Sequence, residues 1–178
     1  VLPMNRSGPG SELAVLSVAL MEVQSRGEVV TTSSVPRISP QVSFNMLSES
    51  VDEERMGEAL KVLLDIVGGA SVKGRTRNIY CDQSGTPAES LMDKDESELG
   101  EWMRAHIGNY AHASGTCRMG PLTDVMSVVD CAGGVIGYEK LWVCDASIIP
   151  VLPRATTHLP VVMMAEVVAS HISHSLLM

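Results

Sequence analysis

Aromatic side chains are scarce in this chain, with one Phe, two Trp and three Tyr among 178 residues. Such scarcity argues against a carbohydrate-stacking platform, which needs exposed aromatic faces. It also leaves core packing to Val, Leu, Ile and eleven Met, an adaptable aliphatic interior because Met fills irregular gaps. Basic residues are outnumbered: 13 Lys and Arg against 21 Asp and Glu give a net charge of −8, and the cations are scattered. A nucleic-acid surface needs clustered cations to neutralise phosphates, so no nucleic-acid partner is expected. The four cysteines, Cys81, Cys117, Cys131 and Cys144, form no CxxC pair and no zinc-ribbon spacing. No metal site is therefore expected, and free buried thiols in a reducing cytoplasm are the expectation. Long apolar runs are missing as well. The stretch "LPVVMMAEVVASHI" is interrupted by Glu166 and His171 and falls short of the roughly 20 residues that span a bilayer, so no membrane span is expected. The opening "VLPMNRSGPG" has no charged region leading into an apolar stretch, so a signal peptide is not expected. It also does not begin with Met, which leaves a natural start further upstream open.

What is present reads as short strands followed by helices. Residues 13–24, "LAVLSVALMEVQ", and the following "SRGEVVTTSS" suggest two strands around the Ser25-Arg26-Gly27 break, with a helix from Leu13 to Val23 as the alternative that periodicity leaves open. Pro36 and Pro40 make "VPRISPQVSF" an edge or a loop. From residue 50 the pattern turns helical. Ser50 and Glu53 have capping-box spacing, Met56, Leu60, Leu63, Leu64 and Val67 share a face, and Gly68-Gly69 ends the helix. The opposite face, with Asp52, Glu54, Arg55, Glu58 and Lys61, is expected to be solvated. Residues 71–97 are polar and mixed and match no element, "DQSGTPAESLMDKDESE" within and just beyond them reads as a surface loop, and Leu99, Trp102, Met103 and Ile107 predict a second helix over about 96–107. Further on, "VVDCAGGVIGYEKLWVCDAS" reads as two short strands about a glycine-rich turn. The run "LWVC" has the continuous apolar character of a strand buried on both faces. It ends at Asp145, where ligands of such sheets are met, although capping a turn accounts equally well for an aspartate there. Pro160 suits a helix start, and the helix from Val161 to about Ser173 is expected to be buried.

Two histidines stand at informative places. His112 lies in the turn "AHASGTCRMG", and His158 lies just before the predicted C-terminal helix. Helix N-termini carry free N–H groups and a positive dipole end, which favour developing negative charge. An imidazole there is pushed toward its neutral, proton-accepting form.

The segments "HASGTCRMG", "LWVCDASIIP" and "RATTHLPVVMMAE" occur in the order and spacing of the C-terminal signature of the glucose-methanol-choline (GMC) oxidoreductases. "SRGEV" and "VSFNMLSE" resemble that family's substrate-domain pattern, so the resemblance covers about residues 24–172. The family oxidises alcohols with FAD, and the chain resembles its choline dehydrogenase-like members. The resemblance implies that His112 is the active-site base, taking the hydroxyl proton of a small-molecule alcohol while the carbinol hydride passes to flavin N5. It implies that Asp145 and Ala146 lie against the flavin in the "DAS" turn, and that the segment from Thr156 and Thr157 to Pro160 meets the flavin pyrimidine ring. Counted back from Glu166, the family's second catalytic residue, usually His or Asn, falls on Thr156, with His158 two positions later. His158 is taken as the second catalytic residue and Thr156 as a cofactor contact.

The resemblance implies an α+β fold: an antiparallel substrate-binding sheet with flanking helices, plus the C-terminal strand and helix of a Rossmann-like FAD-binding domain whose N-terminal part is absent. The expected division is a substrate-binding region at 1–110 and a flavin-site segment at 111–178. The family's GxGxxG turn for the ADP half of FAD has no counterpart, since "GPGSEL" lacks the third glycine. The chain therefore reads as the C-terminal part of an FAD-dependent alcohol oxidoreductase. The rival expectation is a truncated or split-gene fragment without stand-alone activity, which needs an N-terminal FAD-binding half on the same or a separate chain.

Overall fold

The computed structural model describes residues 2–4 and 14–177, in two compact units. One comprises the N-terminal residues through Leu20, Gln24–Arg26 and Asn45–Gly108. The other comprises Met21–Val23, Gly27–Phe44 and the chain from Asn109 onward.

In the first unit, strand β1 (Leu2–Met4) pairs antiparallel with β2 (Val15–Ser17). Helices follow: α1 (Ser50–Gly68), α2 (Ala70–Lys73), α3 (Glu89–Met92) and α4 (Glu96–His106). The helical spacing of the sequence is what builds the core. Leu60, Leu64 and Val67 of α1 pack with Leu99 and Met103 of α4, while Met56, Leu63, Trp102 and Ile107 border the cluster. The stretch "DQSGTPAESLMDKDESE" is more than the surface loop expected, because Ala88 and Leu91 complete this core and Leu91 is fully buried. A short bridge between Tyr80 and Pro87 and the brief helix α3 bring them there, and polar neighbours in sequence masked that role.

The capping box forms at α4 instead of α1. Asp95 Oδ1 accepts from the Glu98 N–H at 2.9 Å, and Glu98 Oε2 accepts from the Asp95 N–H at 3.1 Å, so two otherwise orphaned donors are satisfied reciprocally. At α1, Ser50 is already the first helical residue and the cap position is Glu49, with no side-chain cap bond. A distant residue serves that end. The Ser25 hydroxyl accepts from the Glu49 N–H at 3.2 Å and donates to Asp52 Oδ2 at 2.7 Å. Asp52 consequently leaves the solvated face on which it was expected. It is 1% exposed and also accepts from the backbone N–H groups of Gln24 and Ser25, at 2.9 and 2.7 Å.

In the second unit, β3 (Glu28–Val30) pairs antiparallel with β4 (Gln41–Ser43). The strands flanking Ser25-Arg26-Gly27 thus do not form one hairpin: β2 pairs with β1, and β3 with β4. Gly27 sits where a Cβ would fall 2.2 Å from the Ser43 carbonyl oxygen, an approach only glycine permits. The described antiparallel strands form two separate two-stranded sheets.

The run "LWVC" is not a two-sided buried strand. Val135 N–H donates to the Leu141 carbonyl and Val143 N–H to the Gly133 carbonyl, so one bridge, Gly134 to Trp142, pairs this run on one side. Leu141 and Cys144 are exposed. Val129 and Ile148 form the small core of this unit with Val168 of α5 (His158–Leu177). The helix begins two residues before Pro160, so His158 is its first residue instead of preceding it. Nor is α5 buried all round. Met164, Val168 and Ile172, spaced by four, face the core, while Leu159, Val162, Met163 and Val167 are exposed. Its all-round hydrophobicity signals faces that seek cover, without saying that this chain supplies it. No helix among the described residues is long and apolar enough to cross a membrane. All four cysteines are free, but Cys131 and Cys144 are exposed instead of buried, one in the glycine-rich turn and one at the end of the weakly paired run.

Gly133 offers a test of this packing. Its φ of +79° and a Cβ that would meet the Val143 carbonyl oxygen and a Val168 methyl, each at 3.0 Å, act together. Gly133→Ala is expected to cost about 3 kcal/mol, the left-handed penalty plus overpacking. Gly137, with φ +84° and nothing within 4 Å, is the comparison: Gly137→Ala should cost only about 1–2 kcal/mol. Urea unfolding of the two variants checks this, and equal losses would contradict the packing argument.

Candidate functional site

After α4, the chain enters a turn made by its own side chains. Asn109 Oδ1 accepts from the Ala111 N–H at 2.8 Å, the side-chain mimic of a backbone turn that asparagine favours. Tyr110 and Ala111 then adopt φ values of +52° and +58°. Two successive non-glycine residues in the left-handed region cost on the order of 1–3 kcal/mol each, and such strain clusters where a side chain must be aimed. The residue they aim is His112.

The segment after His112 is fastened to the "DAS" turn. Gly115 N–H donates to the Ala146 carbonyl at 3.3 Å, Cys117 N–H to Ser147 at 2.9 Å and Met119 N–H to Ile148 at 2.9 Å. Gly115 has φ +87° and lies so close that a Cβ would sit 3.2 Å from the Ile149 carbonyl oxygen. Asp145 is exposed, and its Oδ1 accepts from the Ser147 N–H at 2.8 Å, capping the 3₁₀ turn Ala146–Ile148. The capping role of Asp145 is therefore present, and Ala146 follows it half-buried.

His112 is itself half-buried. Its Nδ1 lies 2.7 Å from Thr157 Oγ1, and the Tyr110 ring stands tilted beside it at a centroid distance of 5.3 Å. Thr157 is 8% exposed and immediately precedes α5, its carbonyl accepting from the Val161 N–H at 3.0 Å. Thr156 and His158, on either side of it, are exposed. The structure thus brings Thr157 to His112 in hydrogen-bond contact, and neither Thr156 nor His158. The first N–H groups of an α-helix have no intrahelical partner, so the start of α5, next to Thr157, offers backbone donors. Together these groups offer a ring nitrogen able to accept a proton and a positive helix end able to stabilise negative charge.

Sequence reasoning placed Thr157 near a cofactor but missed its bond to His112, 45 residues earlier. The Asn109 turn had a readable signal, an asparagine two residues before the turned backbone. The Thr157 partnership had none, since it depends on tertiary approach. Among the described residues no group of three or more His, Cys, Asp or Glu could hold a metal.

Comparison with known proteins supplies the context. A family model described as GMC oxidoreductase matches residues 23–165. The chain is 33% identical over 155 residues to oxygen-dependent choline dehydrogenase 1 of Chromohalobacter salexigens, covering 87% of this chain and 26% of that protein. It is 34% identical over 169 residues to 5-(hydroxymethyl)furfural oxidase of a Methylovorus species, covering 92% of this chain and 32% of that one. Among solved structures, pyridoxine 4-oxidase from Mesorbium loti superposes with a TM-score of 0.71 at 28% identity, over 86% of this chain and 28% of that chain. A fungal aryl-alcohol oxidase superposes with a TM-score of 0.71 at 26% identity, over 89% of this chain and 25% of its own. The chain therefore spans between 26% and 32% of the length of these two curated relatives, and its mixed helical and small antiparallel fold is that of the corresponding part of such proteins.

Proposed function

The chain belongs to the GMC oxidoreductase family, and from that premise we propose that it is the base-bearing C-terminal part of an FAD-dependent enzyme that oxidises a CH–OH group to a carbonyl. The substrate class is a small-molecule alcohol. Residues 1–110 are assigned to the substrate-binding region and 111–178 to the flavin-site segment.

The observation that carries the proposal is the bond between His112 Nδ1 and Thr157 Oγ1 at 2.7 Å, made beside the N-terminus of a 20-residue helix. With Nδ1 engaged, Nε2 of His112 is the nitrogen left to accept the hydroxyl proton, the task of a general base. His158, on the first turn of α5, is assigned as the second side chain addressing the alcohol oxygen, with Thr156 the alternative. The free N–H groups of that turn fit an electron-rich ring edge, so Thr156, Thr157, Asp145 and Ala146 are assigned to hold the flavin. FAD, when bound, supplies the hydride acceptor. The chain's own residues account for the proton and for orientation.

The second reading is that the chain acts only with an FAD-binding half that these 178 residues do not supply. The exposed apolar face of α5, from Leu159 to Val167, favours it, because uncovered apolar surface of this kind marks an interface. Both parts are tested by the visible spectrum. The chain purified alone should carry no band near about 450 nm, the oxidised isoalloxazine signature. Fused behind the remaining N-terminal length of the choline dehydrogenase relative, it should carry one. Flavin bound to the chain alone would overturn the need for a second half, and a colourless fusion would overturn the flavin site.

A further inference from the structure

We infer that Thr157 is a positioning residue whose hydroxyl oxygen accepts the Nδ1–H of His112 and so fixes that ring in the tautomer with a bare Nε2. The inference rests on the reading of His112 as the proton acceptor, and it goes beyond it by naming what prepares the acceptor.

The 2.7 Å contact by itself allows either direction, since a threonine hydroxyl both donates and accepts. Helix chemistry decides. A threonine placed just before a helix ordinarily turns its oxygen to the backbone N–H of the second or third helical residue. In α5 these residues are Leu159 and Pro160, and proline has no N–H. Among the described residues Thr157 Oγ1 makes no bond to Leu159; its partner is His112 Nδ1. Pro160 thereby removes one competitor for the hydroxyl oxygen, which is left to receive a proton from the imidazole. Burial strengthens the arrangement, because Thr157 is 8% exposed and water has little access to replace the bond.

The consequence is directional. If Nδ1 carries the proton, Nε2 is an acceptor; if Thr157 donated instead, Nε2 would carry the proton and could accept none. The Tyr110 ring beside the imidazole and the His112 carbonyl, which accepts from the Ser114 hydroxyl at 3.2 Å, hold the residue from other sides. Among the described residues, Thr157 alone is hydrogen-bonded to a ring nitrogen of His112.

The test needs no flavin. In the full 178-residue chain labelled with ¹⁵N-histidine, long-range ¹H–¹⁵N correlation spectra at a pH where the ring is neutral distinguish the two tautomers directly. The wild type should show His112 protonated at Nδ1. Thr157→Val should shift it toward the Nε2-protonated form that an unconstrained histidine favours, and Thr157→Ser should restore the wild-type pattern. In the FAD-loaded fusion, Thr157→Val should slow flavin reduction by roughly 10-fold, within the range general-base effects span, with recovery in Thr157→Ser. A wild-type His112 protonated at Nε2 overturns the inference whatever the variants do, and so does an unchanged tautomer in Thr157→Val. An unchanged tautomer in Thr157→Val leaves the assignment of His112 as base intact, a wild type protonated at Nε2 removes Nε2 as the acceptor, and the role of the imidazole itself is tested separately by removal of the His112 side chain.

Discussion

Replacing His112 with alanine is expected to slow flavin reduction by about 10²–10⁴-fold in the FAD-loaded fusion, the scale on which loss of a positioned general base is felt. The expectation follows from geometry. His112 is aimed by two left-handed residues, Tyr110 and Ala111, and its backbone is followed by a strip bonded to Ala146, Ser147 and Ile148. The side chain itself is half-buried and, among the described residues, its ring makes one hydrogen bond, to Thr157. Its removal should cost about 1–3 kcal/mol, because the buried Thr157 hydroxyl loses its partner, while abolishing the proton acceptor. Stopped-flow reduction under anaerobic conditions separates the two effects, because flavin content reports folding and the bleaching rate reports chemistry. Reduction within a few-fold of wild type would remove His112 from the role of base.

The largest stability effect is expected at Asp52→Ala, about 4 kcal/mol, because it leaves the N–H groups of Gln24 and Ser25 and the Ser25 hydroxyl without their acceptor at a buried site. For a chain of this size that corresponds to a fall in Tm of about 10 °C. The same cluster predicts a pH dependence. Burial pushes the Asp52 carboxyl up, but the Ser25 hydroxyl, the Ser25 and Gln24 N–H groups and the Arg55 charge outweigh it and hold the group below its ordinary value of 3.8. A carboxyl that resists protonation in the folded state contributes its stability fully above 3.8 and loses it as pH falls through the lower folded value. Below 3.8 the unfolded chain takes up the proton more readily, so acid favours unfolding. Urea unfolding between neutral pH and the acid limb should show this loss in wild type and a flatter profile in Asp52→Asn. A Tm unchanged in Asp52→Ala would show that the Ser25 contacts contribute nothing.

The helices were legible because their signal is local. The spacing of Leu60, Leu64 and Val67, and of Leu99 and Met103, decides which faces turn inward, and those residues form the core of the first unit. Asp52 was misread because its charge outweighs any local hint of burial, and what buries it is a segment 27 residues earlier. The pairing of β1 with β2 and of β3 with β4 was missed for the same reason, since strands record which face is apolar but not which strand they meet. "LWVC" and α5 read as buried because hydrophobicity reports a need for cover, yet Leu141, Cys144, Leu159, Val162, Met163 and Val167 are exposed. At the site, the turn carrying His112 and the "DAS" cap were visible as motifs, and their mutual hydrogen bonds were not. The Thr157 contact lay hidden in the same way, although Pro160, which frees the hydroxyl, stands in plain sight three residues later.

Alcohol-driven reduction of bound flavin is the direct sign that this chain supplies the base side of an FAD-dependent alcohol oxidation. The fusion, loaded with FAD and freed of oxygen, is mixed with a panel of small alcohols and with the same alcohols deuterated at the carbinol carbon. At least one alcohol should bleach the band near about 450 nm, deuteration should slow the bleaching, and an equivalent of carbonyl product should form. A flavin that binds yet stays oxidised with every alcohol, while a chemical reductant bleaches it, would show that His112 does not serve alcohol oxidation.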